Sequence, residues 1–414
     1  MESNMLRKTS NKFKGKITWL FVLYAVVTLA IYILPYTKYV FPYIVAAMLM
    51  LISLPLMMLK KNSWFKYGTI LVGVTVFLMF VYLINGVSYV DAINDAIRNV
   101  RYFLPVLWGC FAVEYCTPKQ QKIALTCFVG ITALVLYKTL SALEIEPMIV
   151  RILAQDQSHS EPAINAFRLD NVGGYAFAYM MGIVTICVAD TIFVLKKKWH
   201  KAIAIASLIF CFYFIIKSMY TTLLLLSSIA VLSILLFRAK KTSTKIMFVI
   251  LFLVLLFTIA PLFQLLSQLF AGTLLSTKFA QMYDAITGGG ADSLGLRPQL
   301  LQQAITNWLQ TPLLGGNYDT PSHSLIFEIL QKNGIVGLSF WLYMFFVSCC
   351  IVIRKLKEHN IDVMLFKLCC AYLFVLSIFN DTRYTFEITL ALFFIVPIYS
   401  DILKTYLHRA YDEV

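Results

Sequence analysis

Acidic side chains are scarce in this sequence: its 414 residues hold 21 Asp and Glu against 35 Lys and Arg, and charged residues of both signs make up only 14%. With 60% of the side chains hydrophobic, the chain falls outside the range of soluble globular domains. The motifs of common soluble chemistries are missing as well. There is no P-loop, no GxGxxG and no GxSxG, which leaves ATP hydrolysis, cytosolic nucleotide chemistry and serine hydrolysis unsupported. None of the nine cysteines (110, 116, 127, 187, 211, 349, 350, 369, 370) stands in a CxxC metal or redox spacing. They fall within predicted helices or at their inner ends and are expected to be reduced, buried and structural. The net charge of +14 carries no nucleic-acid signature, because Lys and Arg occur in short clusters between apolar runs without interleaved aromatics.

What the sequence does contain is apolar runs of membrane-spanning length. About 20 apolar residues cross the hydrocarbon core as a helix, and such runs recur from end to end. They predict an all-α, polytopic membrane protein with about twelve helices: 17–35, 41–59, 68–86, 101–116, 122–142, 171–195, 201–216, 219–237, 246–268, 324–353, 362–379 and 384–404. The whole of 1–414 reads as a single integral membrane domain. Alternate connections are basic: the N-terminal arm, Lys60/Lys61/Lys66, Lys119/Lys122, Lys196 to Lys198 with Lys201, Arg238 to Lys245, Arg354/Lys355/Lys357, and Lys404/Arg409. The positive-inside rule puts these, and both termini, in the cytoplasm. The first apolar run is too long for a signal peptide and has no clear cleavage site, so a retained helix is expected.

The two long remaining connections, 143–170 and 269–323, are then external. In the second, Leu300, Leu301, Ala304, Ile305, Trp308 and Leu309 follow helical spacing opposite Gln299, Gln302, Gln303, Thr306, Asn307 and Gln310. This predicts an amphipathic helix lying on the bilayer or the bundle. Pro298 suits its first position, which would put Arg297 at the helix start, where backbone N–H groups also favour an anion. Thr311-Pro312 ends it, and Gly315-Gly316 turn the chain toward His323 at the start of the next helix.

Chemistry-bearing groups on this side are few. The cations are Lys38, Arg98, Arg101, Arg151, Arg168, Lys217, Lys278, Arg297, Lys332 and Arg383. Any one alone is explained by snorkelling. Several converging with a histidine point to an anion site, since cations at membrane depth are costly unless paired or useful. Arg168 is expected to open a helix in FRLDNVGGYAFAY, Lys217 to sit between two helices, and Arg383 to lie in the loop FNDTRYTF. Glu161, Asp170, Asp292, Asp319 and Asp381 are scattered, with no metal-ligand pattern. Asp91 and Asp95 share one helical face with Arg98, which favours a surface ion pair between Arg98 and Asp95.

Ser293-Leu294-Gly295-Leu296-Arg297, Trp308, Pro312-Leu313-Leu314-Gly315-Gly316, His323-Ser324 and Gly334-Ile335-Val336-Gly337 together resemble the characteristic region of the O-antigen polymerase and O-antigen ligase superfamily. In that pattern an arginine precedes an external helix, a Pro-Leu-Leu-Gly turn follows, and His-Asn or His-Ser opens a helix containing Gly-x-x-Gly. The resemblance implies glycan transfer from undecaprenyl pyrophosphate at the outer face of a bacterial cytoplasmic membrane, with a lipid-linked glycan donor and acceptor and a chain-length regulator as partners. His323 takes the place of the catalytic histidine, Arg297 that of a pyrophosphate-binding arginine, and Arg168 that of a further substrate contact. Where ligases commonly carry an arginine before a Leu-rich run, this chain reads KSMYTTLLLL, with Tyr220 at that position and Lys217 one turn earlier.

The chemistry is consistent with that expectation. Cleaving an anomeric carbon from lipid pyrophosphate needs stabilisation of growing negative charge, which preorganised Arg and Lys supply without a metal or other cofactor. A neutral histidine can accept the proton of the attacking hydroxyl. A polysaccharide polymerase is the first expectation, an O-antigen ligase the alternative. A lipid-linked oligosaccharide flippase or other transporter is more remote, because no internal repeat is found.

Overall fold

A computed structural model gives the fold and describes residues 2–40, 64–155, 162–239, 241–273, 276–277, 279–280, 283–284, 292–318, 323–382 and 385–412. Among these residues every regular element is helical. The chain opens with α1 (Glu2–Ile33), apolar over Ile17–Ile33, and the short α2 (Pro35–Val40). Then come α3 (Trp64–Ile84), α4 (Tyr89–Phe103), α5 (Pro105–Tyr115), α6 (Pro118–Ile145), the short α7 (Ile149–Gln155) and α8 (Pro162–Leu169), α9 (Tyr175–Val194), α10 (Lys198–Lys217) and α11 (Thr221–Arg238). The C-terminal part holds α12 (Thr242–Leu269), α13 (Asp292–Gln310), α14 (Leu325–Glu358), α15 (Met364–Phe379) and α16 (Phe386–Leu390). The last runs through a π-helical stretch, Ala391–Ile395, into α17 (Val396–Asp412).

Among the described residues, seven helices are long and apolar enough to cross a membrane: α3, α6, α9, α10, α11, α14 and the run Phe386–Thr405. This defines a multi-pass helical membrane protein. The expected helix over 41–59 lies outside the described residues. The expected span over 101–116 is corrected. Pro105 cannot donate to the turn before it, so the chain breaks between α4 and α5, and α5 has only 11 residues. That is about 16 Å, half of a hydrocarbon core of about 30 Å. At the break the Phe103 carbonyl accepts from the Tyr67 hydroxyl at 3.1 Å, and Ser348 Oγ lies 2.8 Å from the same hydroxyl.

The core is built where backbones approach most closely. α5 is buried along Pro105–Val113 and lies against the π-helical stretch, where a Cβ on Gly109 would run into the Phe393 carbonyl. Aromatic rings fill the space around this contact. Trp108 stands edge-on to Phe394 at 5.8 Å, and Phe21 of α1 packs on Phe111 at 4.5 Å. α6 begins where the sequence dictates: Thr117 and Gln120 form a reciprocal capping box, with Pro118 at the first helical position.

The connections near Lys119/Lys122, Arg238, Arg354 to Lys357 and Lys404 meet at one end, and others meet at the opposite end. At one end Gln121 Nε2 donates to Asp401 at 2.7 Å, and Lys355 pairs with Glu114 at 2.8 Å. Arg238 there bridges Asp190 at 2.7 Å and Asp362 at 2.6 Å, while Lys404 Nζ donates to the His359 carbonyl at 2.5 Å. At the other end the Tyr36 amide donates to Asn171 at 3.1 Å, and the Leu325 amide to the Asn380 carbonyl at 3.2 Å. All nine cysteines are free thiols; Cys349 and Cys370 are buried with their sulfurs 3.4 Å apart, whereas Cys116, Cys127 and Cys187 are half-buried and Cys350 is exposed, against the expectation that all are buried.

Candidate functional site

The candidate site lies at the end opposite the basic connections, around the start of α14. Ser324 caps that helix, its hydroxyl accepting from the Phe327 amide at 3.5 Å. Just before the cap, His323 is exposed and takes a left-handed backbone conformation with φ 56°. Such a φ is uncommon outside glycine, and histidine is among the residues enriched there. The chain on its C-terminal side holds it in place: the Leu325 amide donates to the Asn380 carbonyl, and Ser324 Oγ donates to the Ser377 carbonyl at 3.4 Å.

α14 is not one continuous helix. Gly334 has φ 64° and ψ −167°, so a short segment, 325–333, is set off from the long span 335–358. The break frees backbone groups that a membrane environment cannot satisfy, and the turn after α13 meets them. The Ile335 amide donates to the Pro312 carbonyl at 2.9 Å, the Val336 amide to the Leu313 carbonyl at 3.3 Å, and the Gly316 amide to the Gln331 carbonyl at 2.9 Å. The Pro-Leu-Leu-Gly-Gly turn is thus seated in the broken helix. Gly334 is the hinge residue of the break, while Gly337 stays helical.

The amphipathic helix forms as α13, and Ala304 of its apolar face is buried. It docks on α14 through Asn307, whose amide donates to Gln331 Oε1 at 3.4 Å. Its start differs from expectation. α13 begins at Asp292, so Arg297 stands in the second turn and not at the helix start with its free N–H groups. The Arg297 side chain lies outside the described residues.

The loop between α15 and α16 joins the start of α14 to the tyrosine cluster. Besides Asn380, which holds α14, the loop offers the Asp381 carbonyl to the Tyr175 hydroxyl at 3.3 Å, and Thr382 Oγ1 lies 3.3 Å from the Tyr102 hydroxyl. Tyr175 packs on Tyr179 and Tyr220 with ring centroids 4.7 and 5.8 Å away. The Tyr220 hydroxyl donates to the Val150 carbonyl at 3.2 Å, which puts Arg151 of α7 within electrostatic reach of it. Arg383 lies in this loop but outside the described residues.

A run of contacts thus links the start of α14, the loop of Arg383 and Tyr220, while Arg168 and Lys217 take local positions other than those expected. Arg168 does not open a helix: it ends α8, donating to Asn165 at 3.2 Å, and the next helix starts only at Tyr175. Lys217 ends α10 with its ammonium over the exposed ring of Tyr213, 5.8 Å from the centroid. The expected Arg98–Asp95 ion pair is present on α4 at 2.5 Å.

Two buried carboxylates of this end went unnoticed in the sequence. Glu328, one turn into α14, is 5% exposed and pairs with Lys332 at 2.8 Å while accepting from Gln331 Nε2 at 3.1 Å. Its signal was the Glu-x-x-Gln-Lys spacing that places all three on one helical face. Glu387, in the first turn of α16, is equally buried; it and the Arg101 guanidinium both act electrostatically on the Tyr32 hydroxyl.

A multi-pass helical membrane protein with a histidine, buried carboxylates and tyrosines gathered at one end is the class that fold and site define. No family model matches the chain, and no curated protein sequence matches it either.

Proposed function

We propose that this protein is a polysaccharide polymerase of a bacterial cytoplasmic membrane, with about twelve transmembrane helices, both termini in the cytoplasm and the site facing outward. It moves a growing glycan from undecaprenyl pyrophosphate onto the next lipid-linked repeat unit, working beside a chain-length regulator. The observation that carries this reading is the placement of His323. The resemblance over 293–337 assigns it the proton-accepting role, and its exposed position in a left-handed backbone conformation at the start of α14 supports that role. Arg297, with Arg168, Lys217, Arg383 and Tyr220 as further substrate contacts, would stabilise the pyrophosphate leaving group. A carboxylate nucleophile has no assigned place in this scheme, so transfer proceeds by single displacement and inverts the anomeric centre.

The test is an assay of purified protein in nanodiscs with lipid-pyrophosphate-linked repeat units as sole substrate, resolving products by glycan length. A ladder that forms without nucleotide or added metal and vanishes with Arg297→Ala supports the polymerase. Transfer only after addition of a lipopolysaccharide core would mean an O-antigen ligase. Inactivity with both acceptors would favour a transporter of lipid-linked oligosaccharide, and retention of the donor's anomeric configuration would refute single displacement.

A further inference from the structure

The end of α3 grips the broken helix, and the grip is made by one side chain with two donors. α3 closes with Gly86 at φ 77°, the Val87 amide reaching back to the Tyr82 carbonyl at 3.0 Å and the Gly86 amide to the Leu83 carbonyl at 3.1 Å. This glycine-based cap fixes the backbone of Asn85, the last residue before it. From there Asn85 Nδ2 donates to the Leu314 carbonyl at 3.0 Å and to the Lys332 carbonyl at 3.3 Å. One acceptor belongs to the turn after α13 and the other to the short segment that carries His323. Two neighbours reinforce the same junction: the Tyr82 hydroxyl donates to Asn333 Oδ1 at 2.9 Å, and Asn317 Nδ2 donates to the Gly86 carbonyl at 3.4 Å.

We infer that Asn85 is a positioning residue that fixes the His323 segment against α13. In its relevance to catalysis this rests on the polymerase reading; as a statement of structure it does not. The chemistry singles out Asn. The two carbonyls need two protons from one nitrogen, which an amide supplies. An aspartate of the same shape would turn those donors into acceptors facing two carbonyl oxygens. Asn85 stands far from His323 in sequence, so its action runs through the backbone: loosening the turn from the short segment lets α13 and His323 drift apart. A misplacement of about 1 Å at a reacting group can cost a hundredfold in rate.

The experiment uses full-length protein in nanodiscs and compares wild type with Asn85→Ala, Asn85→Asp and Asn85→Gln. Hydrogen exchange is read at the Gly316, Ile335 and Val336 amides, which the junction protects. Exchange there should speed up in the Ala and Asp variants and recover toward wild type in the Gln variant, with thermal midpoints showing that all are folded. In the elongation assay kcat should fall by about 10- to 100-fold for Ala and Asp with KM little changed, as expected for lost positioning and not lost substrate binding. Unchanged exchange in both variants overturns the clamp. Faster exchange with unaltered kcat overturns its positioning role. A wild type inactive with every acceptor counts against the polymerase reading, and exchange then decides the clamp by itself.

Discussion

Gly315 and Gly334 each face the backbone of the residues just before the other. A Cβ on Gly315 would run into the Lys332 carbonyl group and the Asn333 amide, and one on Gly334 into the Leu313 carbonyl group. Both glycines have positive φ, 73° and 64°, so an alanine at either position meets backbone strain and steric overlap together. Gly315→Ala and Gly334→Ala should each cost about 2–4 kcal/mol, from left-handed strain plus overpacking against an unyielding neighbour. Thermal unfolding in detergent reads this as a lowered midpoint. Gly130 of α6, with nothing within 4 Å of its would-be Cβ, is the control, and Gly130→Ala should leave the midpoint unchanged or raise it. If all three alanines behaved alike, the seated turn would not be what holds the broken helix.

At the basic end, Asp190 is fully buried and held by Arg238 through two hydrogen bonds of 2.7 and 3.2 Å, while Arg238 also reaches the exposed Asp362. Arg238→Ala strands a buried carboxylate and should destabilise by about 2–4 kcal/mol, somewhat under the range for fully buried pairs because the guanidinium keeps some exposure. The double variant Asp190→Leu/Arg238→Leu removes both charges and should recover much of that loss. A double variant worse than Arg238→Ala would mean that the pair contributes net stability of its own.

The segregation of connections into two ends predicts labelling from opposite faces. In a cysteine-free background, single cysteines at the exposed positions Lys357 and Asn317 should react with an impermeant thiol reagent from different sides of a sealed vesicle. On the positive-inside rule, the Lys357 cysteine is expected to react from the cytoplasmic side. Labelling of both from one side would contradict the grouping of the connections.

The parts of this fold written in charge and periodicity were legible in the sequence. The amphipathic helix α13 and the Arg98–Asp95 pair each follow from neighbours close in sequence. The break at Gly334 was not legible, because apolar spacing continues across it and its cause is a turn some twenty residues upstream that supplies the missing hydrogen bonds. Pro105 did carry a signal, since proline at the first position starts a helix, but the apolar run around it masked the break. The role of Asn85 is a contact across 229 residues, with no local pattern to reveal it. Lys217 was assigned by its spacing from Tyr220, and spacing does not say that its ammonium rests over Tyr213.

His323 offers the sharpest test of the site, because backbone and side chain can be separated there. Its left-handed φ of 56° is a demand on the backbone, and the exposed imidazole is the group assigned to the chemistry. Asparagine also tolerates this conformation, whereas alanine is strained in it. His323→Asn should therefore keep the wild-type thermal midpoint, while His323→Ala stays folded in the membrane with a lower one. If the imidazole accepts the proton of the attacking hydroxyl, both variants should lose elongation by about 10²- to 10⁴-fold irrespective of their stability. Activity that instead followed the midpoint, retained in Asn and reduced in Ala, would assign His323 to the backbone geometry of the α14 cap. Near-normal product length and amount in both variants would remove it from the mechanism.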